Sequence, residues 1–331
     1  VNVAPTARQA WLSRPFVIKL RKVALGVALG LFVVLGTATL VERHRESDET
    51  ELLVRTESFA DLDGDHVRYR LTGMTQPGPM VVFLNGMAAS LEQWEDIQPS
   101  VAAFAPTLLY DRGGYGYSYG SSPHSAGDQA DELAALLAKL QIDRPLVLVG
   151  YSVSASIARV FVSRHKAMVV GVTFLEPYLP ELQGRFLKRD RRLSYTRWLG
   201  RETVSTLLGY ERLRVYFMAR RGEKVEPLPQ LRFSHWWAVD RELYATPETQ
   251  AATLAADHLD AIPLILLAPK AWDTTESYQE VSKVYRDFVK TSATGSLRYL
   301  PDGVDHGEVV EDKRSCDVLI DTIHELVAQA H

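Results

Sequence analysis

Residues 146–162 read LVLVGYSVSASIARVFV. Four apolar residues and a glycine have the length of a strand buried on both faces. The stretch from Ala155 to Val162 has helical spacing. Between them lies Gly150-Tyr151-Ser152-Val153-Ser154. A serine flanked by small residues, at a sharp passage from strand to helix, is the pattern of a nucleophile elbow. Large neighbours at such a turn would collide with the adjacent strand and helix. Glycine is the usual residue at the position of Ser154, so a serine there is expected to cost extra backbone strain. The turn aims the backbone N–H of Val153, at the helix start, toward an oxyanion position. The bland use of Ser152 is a helix N-cap. Ser154 and Ser156 read as packing or capping residues.

The same strand–helix rhythm extends in both directions. Further apolar runs are MVVFL (80–84), TLLY (107–110), VVGVTFL (169–175), IPLILLA (262–268) and LRYL (297–300). Val67, Tyr69 and Leu71 alternate after the turn signal Asp63-Gly64, as in an opening β-hairpin. Leu133, Leu136, Leu137 and Leu140 form a helical i, i+3, i+4, i+7 stripe. Alternation of this kind predicts an α/β fold, a mostly parallel sheet with helices on both faces. The 331 residues are enough for one large domain. Apolar residues at 46% and charged residues at 24% are ordinary globular values. A net charge of −4 argues against a nucleic-acid binder. The single cysteine, Cys316, excludes an intrachain disulfide and a CxxC metal site.

The N-terminal end has a different character. Residues 23–41 read VALGVALGLFVVLGTATLV, 19 residues without a charge. At ~1.5 Å rise per residue they suffice to cross a hydrocarbon core of about 30 Å. Residues 1–22 carry Arg8, Arg14, Lys19, Arg21 and Lys22 and no acid, whereas residues 42–51 carry five acids. This asymmetry assigns residues 1–22 to a cytoplasmic tail and the remainder to the outside. A cleaved signal peptide is the other reading, because Gly36-Thr37-Ala38 has a small-x-small pattern. Residues 42–52 read as a charged linker, and residues 53–331 as the folded domain.

From about residue 53 onward the chain resembles the α/β-hydrolase superfamily, whose members order their residues as serine, acid, histidine. Three segments besides the elbow carry the resemblance. Asn85-Gly86-Met87 follows a strand, like the family's oxyanion loop, with Asn85 in place of the usual histidine. The resemblance implies that the backbone N–H of Met87 is an oxyanion donor beside that of Val153. Asp111-Arg112-Gly113-Gly114-Tyr115-Gly116-Tyr117-Ser118 resembles the family's DxRGxGxS segment and implies a bracing role. Asp302-Gly303-Val304-Asp305-His306-Gly307 matches the loop of the catalytic histidine, which makes His306 the general base for Ser152.

Two residues compete for the acid. Asp273 follows the strand IPLILLA, where the family commonly has it, although farther from the strand end than usual. Glu176 ends the strand VTFLEP, a position from which some members take theirs. Family members that open epoxides or displace halide have aspartate at the elbow, so Ser152 points to acyl transfer through an acyl-enzyme. The resemblance therefore implies hydrolysis of carboxylic or lipid esters without cofactor or metal. A peptidase or amidase on the same residues, and a non-catalytic ligand-binding protein of this fold, are the alternatives.

Residues 177–260 contain no clear strand and read as a helical lid. Within it, residues 181–224 hold twelve Lys/Arg against five acids, a local balance of +7. A solvated helical face, a surface that meets anionic lipid head groups, and a funnel for an anionic substrate are the three readings of that charge. Trp236 and Trp237 read as lining the pocket or the lid hinge. The expected partners are a small ester or lipid substrate and, through residues 23–41, a membrane.

Overall fold

The computed structural model describes residues 15–120, 124–182, 189–222, 228–256, 258–269 and 279–330. It opens with a helix of 40 residues, α1 (Pro15–Val54). A hairpin follows, β1 (Ser58–Leu62) and β2 (Asp65–Thr72), which pair antiparallel. Its turn residues Asp63 and Gly64 have φ of 55° and 98°. Two successive positive φ values suit the twist of a tight hairpin.

The chain then alternates between strand and helix. Its next elements are β3 (Met80–Leu84), α2 (Gln98–Ala102), β4 (Thr107–Tyr110) and α3 (Ala126–Lys139). They are followed by β5 (Leu146–Tyr151), α4 (Ser154–His165) and β6 (Val169–Leu175). After β6, the described residues include the α-helices α5 (Arg189–Leu207), α6 (Tyr210–Arg220), α7 (Phe233–Tyr244) and α8 (Thr246–Ala255). The chain closes with β7 (Leu264–Pro269), α9 (Gln279–Val289), β8 (Ser296–Leu300) and α10 (Lys313–Gln329).

The eight strands form one sheet in the order β1-β2-β4-β3-β5-β6-β7-β8. From β4 to β8 every pairing is parallel. The centre of the sheet is covered on both faces, which explains why its strands are apolar throughout. Val82, Leu84 and Leu148 face α3, α4 and α9 in one core. Their neighbours Val81, Phe83, Val147 and Val149 face α10 in the other. The leucine stripe of α3 buries Leu133, Leu136 and Leu137 in the first of these cores. Ser125 and Asp128 close a capping box at the start of α3.

The strands follow the apolar runs closely. MVVFL, TLLY and VVGVTFL are strands over their full length. The run IPLILLA starts as strand only at Leu264. Pro263 has no N–H to give to a ladder, although its carbonyl accepts from Val172 N at 2.9 Å.

The charged segment 42–52, read from sequence as a linker, is helical and continues α1 without a break. Its acids dock on the helical insertion between β6 and β7. Arg212 of α6 reaches Glu42 at 2.8 Å and Glu49 at 2.6 Å. Glu46 accepts from the backbone N–H of Phe233, at the start of α7. Arg232 donates to Thr50 at 2.8 Å. Burial raises the pKa of the Glu46 carboxyl, against the pull of nearby Arg232 and Arg212. Gly209, at the turn between α5 and α6, has φ of 70°, and a Cβ there would lie 2.4 Å from Glu42 Oε1. Glycine is needed at this point both for the backbone and for the close approach. Among the described residues, α1 is the one helix long and apolar enough to cross a membrane, and none of its apolar window is buried within the chain.

Candidate active site

Strand β5 ends at Tyr151, and the backbone turns sharply at Ser152, whose φ is 56°. A left-handed conformation costs a non-glycine residue roughly 1–3 kcal/mol and persists only where neighbours impose it. Here Ser152 N donates to Leu175 O at 3.1 Å, and Ser152 O accepts from Tyr178 N at 2.9 Å. Gly150 provides room for the turn, since a Cβ there would meet Phe174 Cδ1 at 2.9 Å. The extra strain expected at Ser154 is absent. Ser154 is the first residue of α4, and positive φ at the elbow is confined to Ser152. The Ser154 hydroxyl accepts from Tyr151 N at 2.8 Å and lies 2.9 Å from the carbonyl of Leu84, at the end of β3. A serine here therefore ties two strand ends together where glycine would leave a gap.

Glu176 follows the last residue of β6, and the register pairs Tyr151 with Leu175. Ser152 and Glu176 thus stand at the same level, each one step beyond the end of neighbouring parallel strands. Glu176 also has positive φ, 44°, and its N–H donates to Leu267 O at 2.8 Å. Between the two lies His306, from the loop after β8. Its Nε2 is 3.1 Å from Ser152 Oγ, and its Nδ1 is 2.6 Å from Glu176 Oε2. The carboxylate is buried, whereas the imidazole is half-exposed. Nδ1 carries the proton toward a carboxylate, so Nε2 presents its lone pair to the serine hydroxyl. Asp273, the other sequence candidate for the acid, lies outside the described residues.

A family model described as the alpha/beta hydrolase fold matches residues 79–206. Those residues run from β3 through the elbow into the helical insertion. The chain has the α/β-hydrolase fold. Solved structures of similar fold include the haloalkane dehalogenase DbeA from Bradyrhizobium elkani, at TM-score 0.59 and 20% identity, covering 82% of this chain and 98% of that one. The epoxide hydrolase CorEH has TM-score 0.60 and 18% identity, covering 83% and 99%. Among curated proteins, the chain is 28% identical over 122 residues to the uncharacterized protein YqjL of Bacillus subtilis, which is 36% of this chain and 48% of that protein. It is 29% identical over 138 residues to a 2-succinyl-6-hydroxy-2,4-cyclohexadiene-1-carboxylate synthase of Enterobacter, 40% and 51% of the two chains. The chain thus spans about half the length of the curated relatives it matches.

Within this α/β-hydrolase fold, the loop after β3 faces the elbow. Among the described residues, neither Met87 N–H nor Val153 N–H donates to a protein acceptor. The loop carrying Met87 is braced from several sides. Arg112 donates to Asn85 O at 2.5 Å and to Gly86 O at 3.2 Å, and pairs with Glu242 of α7 at 3.0 Å. Asn85 is buried; it donates to Tyr110 O at 3.0 Å and accepts from Trp94 Nε1 at 2.9 Å. The asparagine that replaces histidine in the resembled motif therefore fixes the strand end. Gly86 N donates to Gln93 Oε1 at 3.0 Å.

His235 and Gln230 carried no sequence signal. His235 of α7 is buried; its Nδ1 accepts from Gly116 N at 2.9 Å, and its Nε2 faces Ala88 O at 3.2 Å. This pairing requires the neutral ring, and burial pushes its pKa down to about 3. Gln230 donates to the same Ala88 carbonyl at 3.1 Å. Trp236 and Leu199 pack with Tyr115 against Met87 and Ala88, so the tryptophan sits over the loop after β3. Trp237 is half-exposed on the outer side of α7. Tyr151 stacks on the His306 ring, with centroids 5.0 Å apart, and its hydroxyl donates to His306 O. Burial raises the pKa of that phenol, which keeps it a donor. Among the described residues, no group of three or more His, Cys, Asp or Glu is arranged to hold a metal ion.

Proposed function

We propose that this chain is a serine hydrolase that cleaves carboxylic esters through an acyl-enzyme intermediate. The observation that carries the reading is the line Ser152 Oγ, His306, Glu176, at 3.1 and 2.6 Å. His306 Nε2 takes the proton of Ser152 as Oγ attacks the ester carbonyl. The imidazolium that forms is stabilised by Glu176, which also holds the ring in its tautomer. The N–H groups of Met87 and Val153 receive the oxyanion, a contribution of roughly 10²–10³ per donor in comparable sites. His306 then returns the proton to the leaving alkoxide. Water, activated by the same imidazole, releases the acid from Ser152.

Glu176, rather than Asp273, is the acid in this proposal, because its carboxylate already occupies Nδ1. Similarity to a haloalkane dehalogenase and an epoxide hydrolase supports the fold alone, and Ser152 at the elbow favours acyl chemistry over theirs. The proposal includes attachment to a membrane by residues 23–41, with residues 1–22 cytoplasmic and the folded domain outside. The unbroken course of α1 from the apolar stretch to its contacts with Arg212 and Arg232 favours an anchor over a cleaved signal.

A series of p-nitrophenyl esters of rising acyl length tests the activity. Hydrolysis by wild type and its loss in Ser152→Ala and His306→Ala support the proposal. Wild-type turnover that survives in Ser152→Ala refutes it.

A further inference from the structure

We propose that the outward face of α6, together with the turn preceding it, rests on the lipid bilayer that residues 23–41 enter. The inference builds on the anchor reading and adds a second contact with the membrane. Helix α6 is turned inside out for a helix of a water-exposed cap. Its inner side buries Glu211 and Val215. Tyr210, Leu213, Tyr216 and Phe217 are each more than half exposed. At 100° per residue these four and Arg220 fall within an arc of about 120°, so they form one face. A contiguous aromatic and aliphatic face of this kind marks an interaction site.

The position of the face selects its occupant. The uncharged stretch of α1 ends at Val41, and Glu42 is the next residue. Glu42 packs against Gly209 and pairs with Arg212. The turn into α6 therefore stands at the level where the anchor leaves the hydrocarbon, beside the head groups. Tyrosine and arginine are the side chains suited to that layer, with an apolar body and a polar tip. Arg220 extends along the same face and donates to Tyr216 OH at 3.0 Å. Residues 181–224 carry a balance of +7, which complements anionic lipid. No residue in the apolar window of α1 is buried within the chain, which leaves the bilayer free to reach the turn. A cap seated in this way opens the site toward membrane-resident esters, which sets the substrate class as lipid rather than water-soluble ester.

Spin-label depth measurements on the full chain test the proposal. The chain carries Cys316→Ser and one label at a time, in nanodiscs of phosphatidylcholine and phosphatidylglycerol. The labels sit at Leu31→Cys in the anchor, Leu213→Cys and Phe217→Cys on α6, and Lys290→Cys on the far side. The expected result is that labels at 31, 213 and 217 meet oxygen in preference to a water-soluble nickel complex, whereas the label at 290 does the reverse. Labels at 213 and 217 that behave like 290, with 31 still in lipid, overturn the docking surface and leave the anchor standing. Labels at 213 and 217 shielded from both reagents identify a protein occupant and also overturn it. A label at 31 in water removes the anchor and the docking surface together. In the double variant Leu213→Asp, Phe217→Asp, hydrolysis of an ester carried in these lipids is expected to fall at least about tenfold, equivalent to ~1.4 kcal/mol. Hydrolysis of a water-soluble ester by the same variant is expected to remain at the wild-type rate. Equal rates on both substrates contradict the proposal.

Discussion

Glu176 and His306 are 130 residues apart in the chain and 2.6 Å apart in space. In the proposed mechanism the carboxylate acts by holding the imidazole, so its removal leaves the nucleophile in place and the base in the wrong tautomer. Glu176→Gln is expected to lower kcat by roughly 10⁴ with KM little changed, by analogy with the loss of such an acid elsewhere. Asp273→Asn is expected to stay near wild type, and steady-state kinetics on one ester separate the two. The strand–turn–helix context put Ser152 at a strand end and the family's loop put His306 beside it, and the two side chains stand 3.1 Å apart. Which carboxylate meets the imidazole was not legible, since both candidates follow parallel strands of the same sheet. Glu176 reaches the ring from a left-handed backbone at its own position, which no residue type announces.

At the scale of elements, the loop after β3 depends on helix α7 for its shape. Arg112 joins them, with its guanidinium on the carbonyls of Asn85 and Gly86 and on the Glu242 carboxylate. Both members of the ion pair are buried. Removing one leaves the other charged and buried without its counter-ion, at a typical cost of 3–5 kcal/mol. Arg112→Ala is therefore expected to lower stability by about that amount in denaturant titrations, and to reduce ester hydrolysis as the loop loosens.

His235 makes a second bridge and gives it a pH dependence. In the native chain the ring stays neutral down to about 3, whereas the unfolded side chain ionises near 6.5. Between these values the unfolded state binds a proton that the native state refuses. Stability is therefore fully present above about 6.5 and declines as the pH falls toward 3. His235→Asn removes the titrating group, and its melting temperature is expected to depend less on pH across that window.

The whole molecule joins a long N-terminal helix, a helical cap and a sheet. The apolar runs announced the strands because parallel strands covered on both faces need apolar residues at every position. The docking of residues 42–54 was hidden. Its acids look like a solvated stretch, and the arginine that meets Glu42 lies 170 residues away. The same cap segment that holds this helix, through Arg232 and the N–H of Phe233, holds Ala88 through Gln230 and His235. The helix is thus part of what shapes the site. A chain beginning at residue 42 is expected to keep a folded cap. One beginning at residue 56 loses the contacts of Glu42, Glu46 and Glu49 with the cap, and is expected to be less stable. Faster amide hydrogen exchange over 209–215 and 229–236 in the shorter chain would report the loosened cap.

The central claim is that Ser152 is an activated nucleophile. Its most direct test is covalent labelling of the full chain with a fluorophosphonate, with the adduct located by peptide mass spectrometry. The account predicts one adduct, on Ser152, which disappears in Ser152→Ala and is strongly slowed in Glu176→Gln. A folded wild-type chain that takes no label, or takes it elsewhere, would contradict it.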